Sequence, residues 1–301
     1  MEHKILYTAD IHGNKKQLKV FLKHAKQIKP RTIIFGGDLA PKNSRIYLDS
    51  PKYIEVQEKF LKKDFPQLIK NFKKNSPETE IFTMLGNDDC RVNLDILGDY
   101  PELYKNIHKK RLSLGNNYDI VGYSTVPITP FVIKDFEKFD LSEIPEPIKK
   151  EYEQIKRNNY RLRGIVSVRK PLPGWKEFYF EPEKEKVDSI QKDLELKIFT
   201  QKPENTLYVF HSPPHNTCLD MISKTNHVGS FAIKEFIEKY HPRITLHGHI
   251  HETVSISERF LENNNSSFSM SPGNDPYEGK VSFIEFDLYK PLFSQRKQLS
   301  C

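Results

Sequence analysis

The feature that most constrains this chain is a repeated local pattern, a short apolar run that ends abruptly in a polar motif. Ile5-Leu6-Tyr7 leads into Asp10-Ile11-His12-Gly13, and Thr32-Ile33-Ile34-Phe35 into Gly36-Gly37-Asp38. Glu80-Ile81-Phe82-Thr83-Met84-Leu85 leads into Gly86-Asn87-Asp88-Asp89. Further on, Thr206-Leu207-Tyr208-Val209-Phe210 precedes His211, and Arg243-Ile244-Thr245-Leu246 precedes Gly248-His249-Ile250-His251. Short apolar runs bounded by turn residues read as buried strands. Between the first two lies a helical stretch with Leu18, Val20, Phe21, Leu22 and Ala25. A second helical stretch, over about 53–74, carries Phe60, Leu61, Phe65, Leu68, Ile69 and Phe72. The first third therefore reads β-α-β-α-β, a succession that requires parallel strands and right-handed crossovers. Ligand sites in such sheets gather outside the carboxyl ends of the strands, so the polar motifs converge on one edge.

Residues 118–126 predict another strand. From about 127 to 200 the texture changes: Pro127, Pro130, Pro145, Pro147, Pro171, Pro173 and Pro182 interrupt a Lys-, Glu- and aromatic-rich stretch of poor periodicity. A stretch of that length inside a compact domain is usually functional or an insertion. We expect one domain over residues 1–301, with 127–200 as a cap or insertion holding helical segments near 148–160 and 183–197. Regular structure resumes with a helix at about 229–240. Antiparallel strands are expected around Ser266-Phe268-Met270 and Val281-Phe283-Glu285, with a turn at Asn263-Asn264-Asn265-Ser266.

The residue types in the motifs are those of a metal site. Asp, Asn and His supply oxygen and imidazole nitrogen donors to divalent transition metals. In an extended segment, alternation places Asp10 beside His12 and His249 beside His251. With Asp38, Asn87 and His211 these make seven ligands, too many for one tetrahedral ion and suited to two ions sharing a carboxylate. Each piece alone has a plainer reading. Asp10 could cap the following helix, His211 could be a satisfied interior histidine, and Gly-Asp is a common turn. Five motifs in order, each after a strand, have no such plain reading.

Composition excludes several classes. No apolar run approaches the ~20 residues of a membrane span, and the N-terminus lacks the h-region of a secretory signal. Cys90, Cys218 and Cys301 show no CxxC spacing, which argues for a reducing compartment and a cytoplasmic location. Cys218 reads as a small core or loop residue, and Cys90 as a candidate to line the site. Lys and Arg outnumber Asp and Glu by 47 to 40, but the basic residues are interspersed with acidic ones. The nearest thing to a basic cluster is Arg161, Arg163 and Arg169, so nucleic acid is not the expected partner.

The series Asp10-x-His12, Gly37-Asp38, Gly86-Asn87, His211 and Gly248-His249-x-His251 resembles the calcineurin-like metallophosphoesterase superfamily. Ser271-Pro272-Gly273-Asn274 is similar to the turn that often follows its last motif. His211-Ser212-Pro213-Pro214 and His227-Val228-Gly229-Ser230 resemble an Icc-like branch related to a cyclic-AMP phosphodiesterase. The resemblance implies a four-layer α/β/β/α sandwich of two mixed sheets flanked by helices. It also implies two divalent transition-metal ions, manganese first, with Fe, Zn, Co or Ni as alternatives. Asp10, His12 and His251 would bind one ion, Asn87, His211 and His249 the other, and Asp38 both.

The expected activity is hydrolysis of a small phosphodiester or phosphomonoester, such as a cyclic nucleotide, by a metal-bridging hydroxide. The alternatives are a nuclease acting on single strands and a catalytically weak metal-binding interaction module. One departure from the family stands out. A His commonly follows the Gly-Asn, and here that position is Asp88. Nearby cations favour an ionised carboxylate, so Asp88 is expected to hold His211 or a water rather than to donate a proton. His211 and Asp88 are the catalytic candidates. Asn87, Asn14 and His215 are candidates to contact substrate, Asn14 with helix capping and His215 with a surface loop as the plainer alternatives.

Overall fold

The computed structural model describes residues 2–42, 50–115, 117–264 and 267–301. The chain opens with β1 (Lys4–Thr8), α1 (Lys15–Ile28), β2 (Thr32–Gly36), α2 (Pro51–Lys59), α3 (Phe65–Lys73), β3 (Glu80–Met84) and β4 (Lys105–Asn106). It continues through β5 (Arg111–Gly115), β6 (Tyr118–Tyr123), β7 (Val126–Pro127), β8 (Glu137–Lys138), α4 (Lys149–Asn159), β9 (Arg163–Val168), β10 (Gly174–Tyr179), α5 (Ile190–Leu194) and α6 (Lys197–Thr200). Then come β11 (Thr206–Phe210), α7 (Phe231–Tyr240), β12 (Ile244–Leu246), α8 (Thr253–Ser257), β13 (Leu261–Asn264), β14 (Ser267–Met270), β15 (Lys280–Asp287) and β16 (Gln295–Ser300).

Two six-stranded sheets form the frame, in the orders β16-β15-β1-β2-β3-β4 and β13-β14-β12-β11-β6-β5. Their centres are parallel (β1-β2-β3 and β6-β11-β12), and antiparallel strands close the edges at β15-β16 and β13. Successive side chains on a strand point to opposite faces. Ile5, Tyr7, Ile34, Phe82 and Met84 therefore face Leu207, Val209, Ile244 and Leu246 between the sheets. Leu6, Ile33, Phe35 and Ile81 turn outward against Leu18, Phe21, Phe65 and Ile69 of α1 and α3. Tyr208 and Phe210 turn outward on the second sheet, under Phe231, Ile233 and Phe236 of α7. A strand covered on both faces must be apolar at every position, which is why these runs are so uniform. The α/β/β/α sandwich implied by the resemblance is the fold observed.

Two local expectations change, and a third falls partly outside the described residues. The helix over 53–74 is one rod with a π-helical turn at Phe60–Asp64 between α2 and α3. Pro66 accounts for it: the proline lacks an N–H and its ring crowds the carbonyl four residues back, so the ladder widens. The strands around Phe268 and Phe283 are not partners. β14 runs parallel to β12 and antiparallel to β13 in one sheet, whereas β15 pairs with β1 and β16 in the other. Asn265 and Ser266 of the expected turn lie outside the described residues. Asn263 and Asn264 end β13.

The 127–200 segment contains more order than its periodicity suggests. The helix expected near 148–160 is α4, and that expected near 183–197 is broken into a 3-10 turn (Pro182–Lys184), α5 and α6. The β9-β10 hairpin went unpredicted. Neither strand has a fully buried residue, and most of β10 is exposed, so no alternation of buried and exposed positions marks them. It is held from outside: Trp175 Nε1 donates to Ser50 O at 3.2 Å, and Asp135 accepts from the Arg91 and Ser167 amides at 2.7 Å each. Within the 127–139 loop, Lys134 and Glu137 form a fully buried ion pair at 2.7 Å. Lys134 also donates to Thr129 O, and Glu137 accepts from Thr129 Oγ1 and its amide. A buried charge pair persists only when its remaining hydrogen-bonding groups are satisfied, as here.

Candidate metal centre

The motif loops are bonded to one another before any ligand is considered. Asp10 N–H donates to Gly37 O at 3.0 Å, His12 N–H to Asp38 O at 2.8 Å, and Gly248 N–H to His211 O at 3.0 Å. Asn274, in the turn noted above, donates from Nδ2 to Ala9 O and Asp10 O at 3.2 and 3.0 Å. Asp89 is fully buried, and its carboxylate accepts from the amides of Gly86, Leu39 and Ala40 at 2.8–3.0 Å. Desolvation pushes the Asp89 carboxyl up to about 8, with the Asp38 charge adding to it and the three amides opposing. These bonds force unusual backbone. Asp10, His12, Asp38 and His249 lie in the left-handed region, at φ 54°, 44°, 48° and 70°. The extended segment expected for Asp10 and His12 is therefore a tight loop. Left-handed backbone at several non-glycine residues persists where the surroundings over-determine it, commonly at functional sites.

The side chains converge. Ligand atoms of Asp10, His12, Asp38 and His251 all lie within 4.8 Å of one another. His12 Nε2 is 3.3 Å from His251 Nε2, and His251 Nε2 is 3.8 Å from Asp10 Oδ1. The Asp38 carboxylate stands between two histidines, with Oδ2 3.6 Å from His12 Nε2 and Oδ1 3.4 Å from His211 Nε2. On the far side, His211 Nε2 is 3.1 Å from Asn87 Oδ1, and the His211 and His249 rings are 5.5 Å apart. Two glycines make room. A Cβ on Gly86 would fall 2.3 Å from Asp38 Oδ1 and 2.6 Å from His211 Nε2, and one on Gly37 would fall 2.5 Å from His211 Nδ1.

The electrostatics suit a cation. Burial pushes Asp10 up to about 6, and its Oδ2 is a buried oxygen with no hydrogen-bond partner. Leaving such an acceptor unpaired costs about 1–3 kcal/mol, which a cation at that point removes. Burial holds His12 and His249 down to about 3, so both are neutral imidazoles, the form that ligates. Burial also opposes charge on Asp38 and His211, but their mutual attraction overrides it. Asp38 falls well below the usual carboxylate range and His211 rises to about 9. A cation beside Asp38 would replace that proton. His211 Nδ1 lies 2.9 Å from Gly36 O, which leaves Nε2 as the nitrogen available to a metal. The donor set and the orphaned Asp10 oxygen fit divalent metal.

The remaining candidates fare differently. Asn14 Oδ1 accepts from the Lys16 and Gln17 amides at 3.0 and 3.1 Å, and Nδ2 donates to Pro276 O at 2.7 Å. Its amide is thus occupied by helix capping. His215 is no surface residue: it is buried, stacked on Phe231 with centroids 3.9 Å apart, and its Nε2 meets Glu151 Oε1 at 2.9 Å. Asp88 holds neither His211 nor another histidine by its side chain. Oδ2 accepts from Lys42 Nζ at 2.6 Å, while the Asp88 amide donates to Asp38 Oδ1 at 2.9 Å. Cys90 is fully buried against Tyr53, Ile54 and Ile133, and burial raises its thiol. Sequence reasoning missed Lys42, which sits in a Pro-Lys loop without a motif, and the structural role of Asp89, whose signal was its place directly after Asn87-Asp88.

A cavity of about 350 Å³ opens over Asp38, Asn87, Asp88, His249 and His251. Its walls come largely from the proline-rich segment, through Pro127–Phe131, Phe139 and Tyr152, Ile155, Lys156 and Tyr160 at α4. Among the described residues, no helix is long and apolar enough to cross a membrane.

Solved structures share this architecture. One crystal structure superposes with a TM-score of 0.57 at 14% identity, covering 100% of this chain and 99% of the other. The protein TT1561 of Thermus thermophilus does so with a TM-score of 0.50 at 14% identity, over 100% of this chain and 99% of its own. At such identities the likeness concerns the fold. A comparison with curated protein sequences returned no match. The sequence profile of the calcineurin-like phosphoesterases matches residues 3–253, a span holding all seven candidate ligands. With those ligands gathered at the carboxyl ends of the strands, the chain belongs to the calcineurin-like phosphoesterase family.

Proposed function

We propose that the chain is a metal-dependent phosphohydrolase acting on small phosphodiesters or phosphomonoesters at a binuclear centre. The observation that carries this reading is the placement of Asp38, one carboxylate oxygen toward His12 and the other toward His211. That arrangement divides the donors into two groups around a shared carboxylate. Asp10, His12 and His251 would hold one ion, Asn87, His211 and His249 the other, and Asp38 both. Divalent ions there would supply positive charge to the phosphoryl oxygens and lower the pKa of a bound water. Gly36 O fixes the His211 tautomer, and the interlocked loops hold the donors rigidly, so little reorganisation accompanies substrate binding.

Asp88 acts through Lys42. Its carboxylate holds the ammonium at the cavity wall, where the charge can meet a phosphoryl or departing oxygen. This arrangement stands in for the histidine that commonly follows Gly-Asn in the family. Desolvation and the Asp38 charge push the Asp88 carboxyl up, and the Lys42 charge pulls it back.

The test combines metal analysis with turnover. Protein reconstituted with Mn²⁺ is expected to retain up to two ions per chain and to hydrolyse bis-p-nitrophenyl phosphate in a chelator-sensitive manner. Retention of no ion overturns the reading. Single-stranded DNA as competitor checks for a nuclease, and strong competition would favour that class.

A further inference from the structure

We propose that the alcohol part of the substrate is apolar, an alkyl or aryl group seated in the cavity above the metal centre. This deepens the phosphohydrolase reading of the same site and rests on it. Three observations converge. First, the cavity continues from the donors Asp38, Asn87, His249 and His251 into a wall built from Ile128, Phe131, Ile155, Ile222, Phe231 and Tyr277. A phosphoryl group held at the floor thus places its ester substituent against hydrocarbon. Second, apolar surface is left open at the mouth. Phe131, Ile222 and Tyr277 are 49%, 41% and 69% exposed, side chains from three separate segments around one opening. Exposed apolar groups that cluster at a cavity, rather than scatter singly, mark a binding surface.

Third, the Lys156, Asp140 and Thr129 groups of the wall are already engaged, whereas the Tyr160 hydroxyl has no hydrogen-bond partner among the described residues. Among the described residues that line the cavity, the lysines are Lys42 and Lys156. Lys42 pairs with Asp88 at 2.6 Å, and Lys156 pairs with Glu185 at 2.7 Å while lying over the Tyr160 ring. Asp140 accepts from Ser230 Oγ and the Phe231 amide, and Thr129 Oγ1 donates to Glu137. A polyphosphate or nucleic-acid strand would need uncompensated cations along the wall. A sugar would need several free donors and acceptors, because desolvating its hydroxyls without new bonds is costly, and the unpaired Tyr160 hydroxyl can meet at most one of its hydroxyls. An alkyl or aryl group needs neither.

The test is calorimetric titration of Mn²⁺-reconstituted protein with methyl-, butyl- and octylphosphonate, 2-phenylethylphosphonate and adenosine 5′-monophosphate. The phosphonates keep the anion and cannot be hydrolysed at an ester bond. Each methylene transferred to an apolar wall is worth about 0.8 kcal/mol, roughly a threefold to fourfold gain in affinity. Butylphosphonate is therefore expected to bind about 30-fold more tightly than methylphosphonate. The octyl and phenylethyl compounds distinguish an alkyl from an aryl arm, and a gain with either supports the proposal. The double variant Phe131→Ser/Ile222→Ser changes exposed side chains, so folding is not at stake. It is expected to cut the octyl-to-methyl affinity ratio about tenfold. Flat affinity along the series, an unchanged ratio in the variant, or tighter binding of the nucleotide than of octylphosphonate overturns the proposal. Metal-dependent binding of methylphosphonate reads the underlying site separately: its absence overturns the phosphohydrolase reading itself, whereas its presence with a flat series overturns only the apolar arm.

Discussion

The floor and the wall of the cavity are built on opposite principles. The floor is polar, buried and bonded to itself: Asp89 alone gathers three amides from two loops, and the donor residues take left-handed backbone to reach one another. The wall is apolar and partly open; Lys156 there is paired with Glu185, and the 127–139 loop behind it is held by the buried Lys134–Glu137 pair. Chemistry at phosphorus depends on donors held within fractions of an ångström, and this favours short loops at the ends of central strands. Selection of a substituent depends on shape and hydrophobicity, which a looser excursion of the chain can supply. The difference teaches that one cavity can hold a reaction constant on one side and leave selectivity to the other.

The sharpest way to break this division is at Asp38. Its position between His12 and His211 predicts that Asp38→Ala loses metal and turnover together, by more than the roughly 100-fold typical of residues that only support ligands. Asn87→Ala removes one neutral donor and should keep more metal. Elemental analysis beside kcat decides, and full metal retention in both variants would contradict the shared carboxylate.

Asp89 tests whether the floor is held by its own bonds. Asp89→Ala strands buried amides at about 1–3 kcal/mol each, so a loss of several kcal/mol is expected in denaturant melts of metal-free protein. A loss confined to the metal-loaded form would instead place Asp89 in metal retention.

The Asp88–Lys42 pair joins floor to wall, and a smaller effect is expected there. Asp88→Asn should lower the rate by about 10–100-fold, for nitrophenyl and alkyl esters alike. If Asp88 works by holding the ammonium, Lys42→Met gives a similar loss and the double variant little more. A loss selective for alkyl esters in Asp88→Asn would show that Asp88 itself donates the leaving-group proton.

The smallest effect on turnover is expected at His108, where the second sheet hands over to the wall. Its Nδ1 accepts the Ser124 amide at 3.1 Å, and Phe136 packs edge-on against it. Burial, with Lys109 and Arg91 adding to it, holds its pKa down to about 3 against an ordinary 6.5. The unfolded chain therefore binds the extra proton. The stability contribution is full above about pH 6.5 and falls, by up to about 1.4 kcal/mol per pH unit, as pH drops toward 3. His108→Gln should flatten the acid side of the stability–pH curve between pH 7 and 5. An identical slope in both proteins would mean that His108 is not buried as a neutral group.

What could be read from the sequence divides along the same line. The seven donors were legible because each follows a uniformly apolar run, and burial on both faces of a central strand imposes that uniformity. The β9-β10 hairpin was not legible, because neither of its strands buries a face in the core and its anchors, Ser50 and the Arg91 amide, lie far off in the chain. The roles of Asn14 and His215 were also open until the folded neighbours were known. A cap and a ligand contact ask for the same amide, and only Pro276 O and the Lys16 and Gln17 amides resolve the choice.

By itself, the sequence determined the β-α-β-α-β succession of the first third, the edge on which the donors meet and the chemistry they suit, since these follow from strand periodicity and donor type, both local properties; the four-layer sandwich was implied by the family resemblance. Only the tertiary structure decided that Asp10 and His12 sit in a left-handed loop, that Asp88 holds a lysine, and which side chains of the proline-rich segment, expected as a cap, line the cavity. Those outcomes depend on bonds between residues distant in the chain, such as the Asp10 amide to Gly37 O and Lys42 to Asp88, and no local pattern encodes which of several possible partners will be within reach.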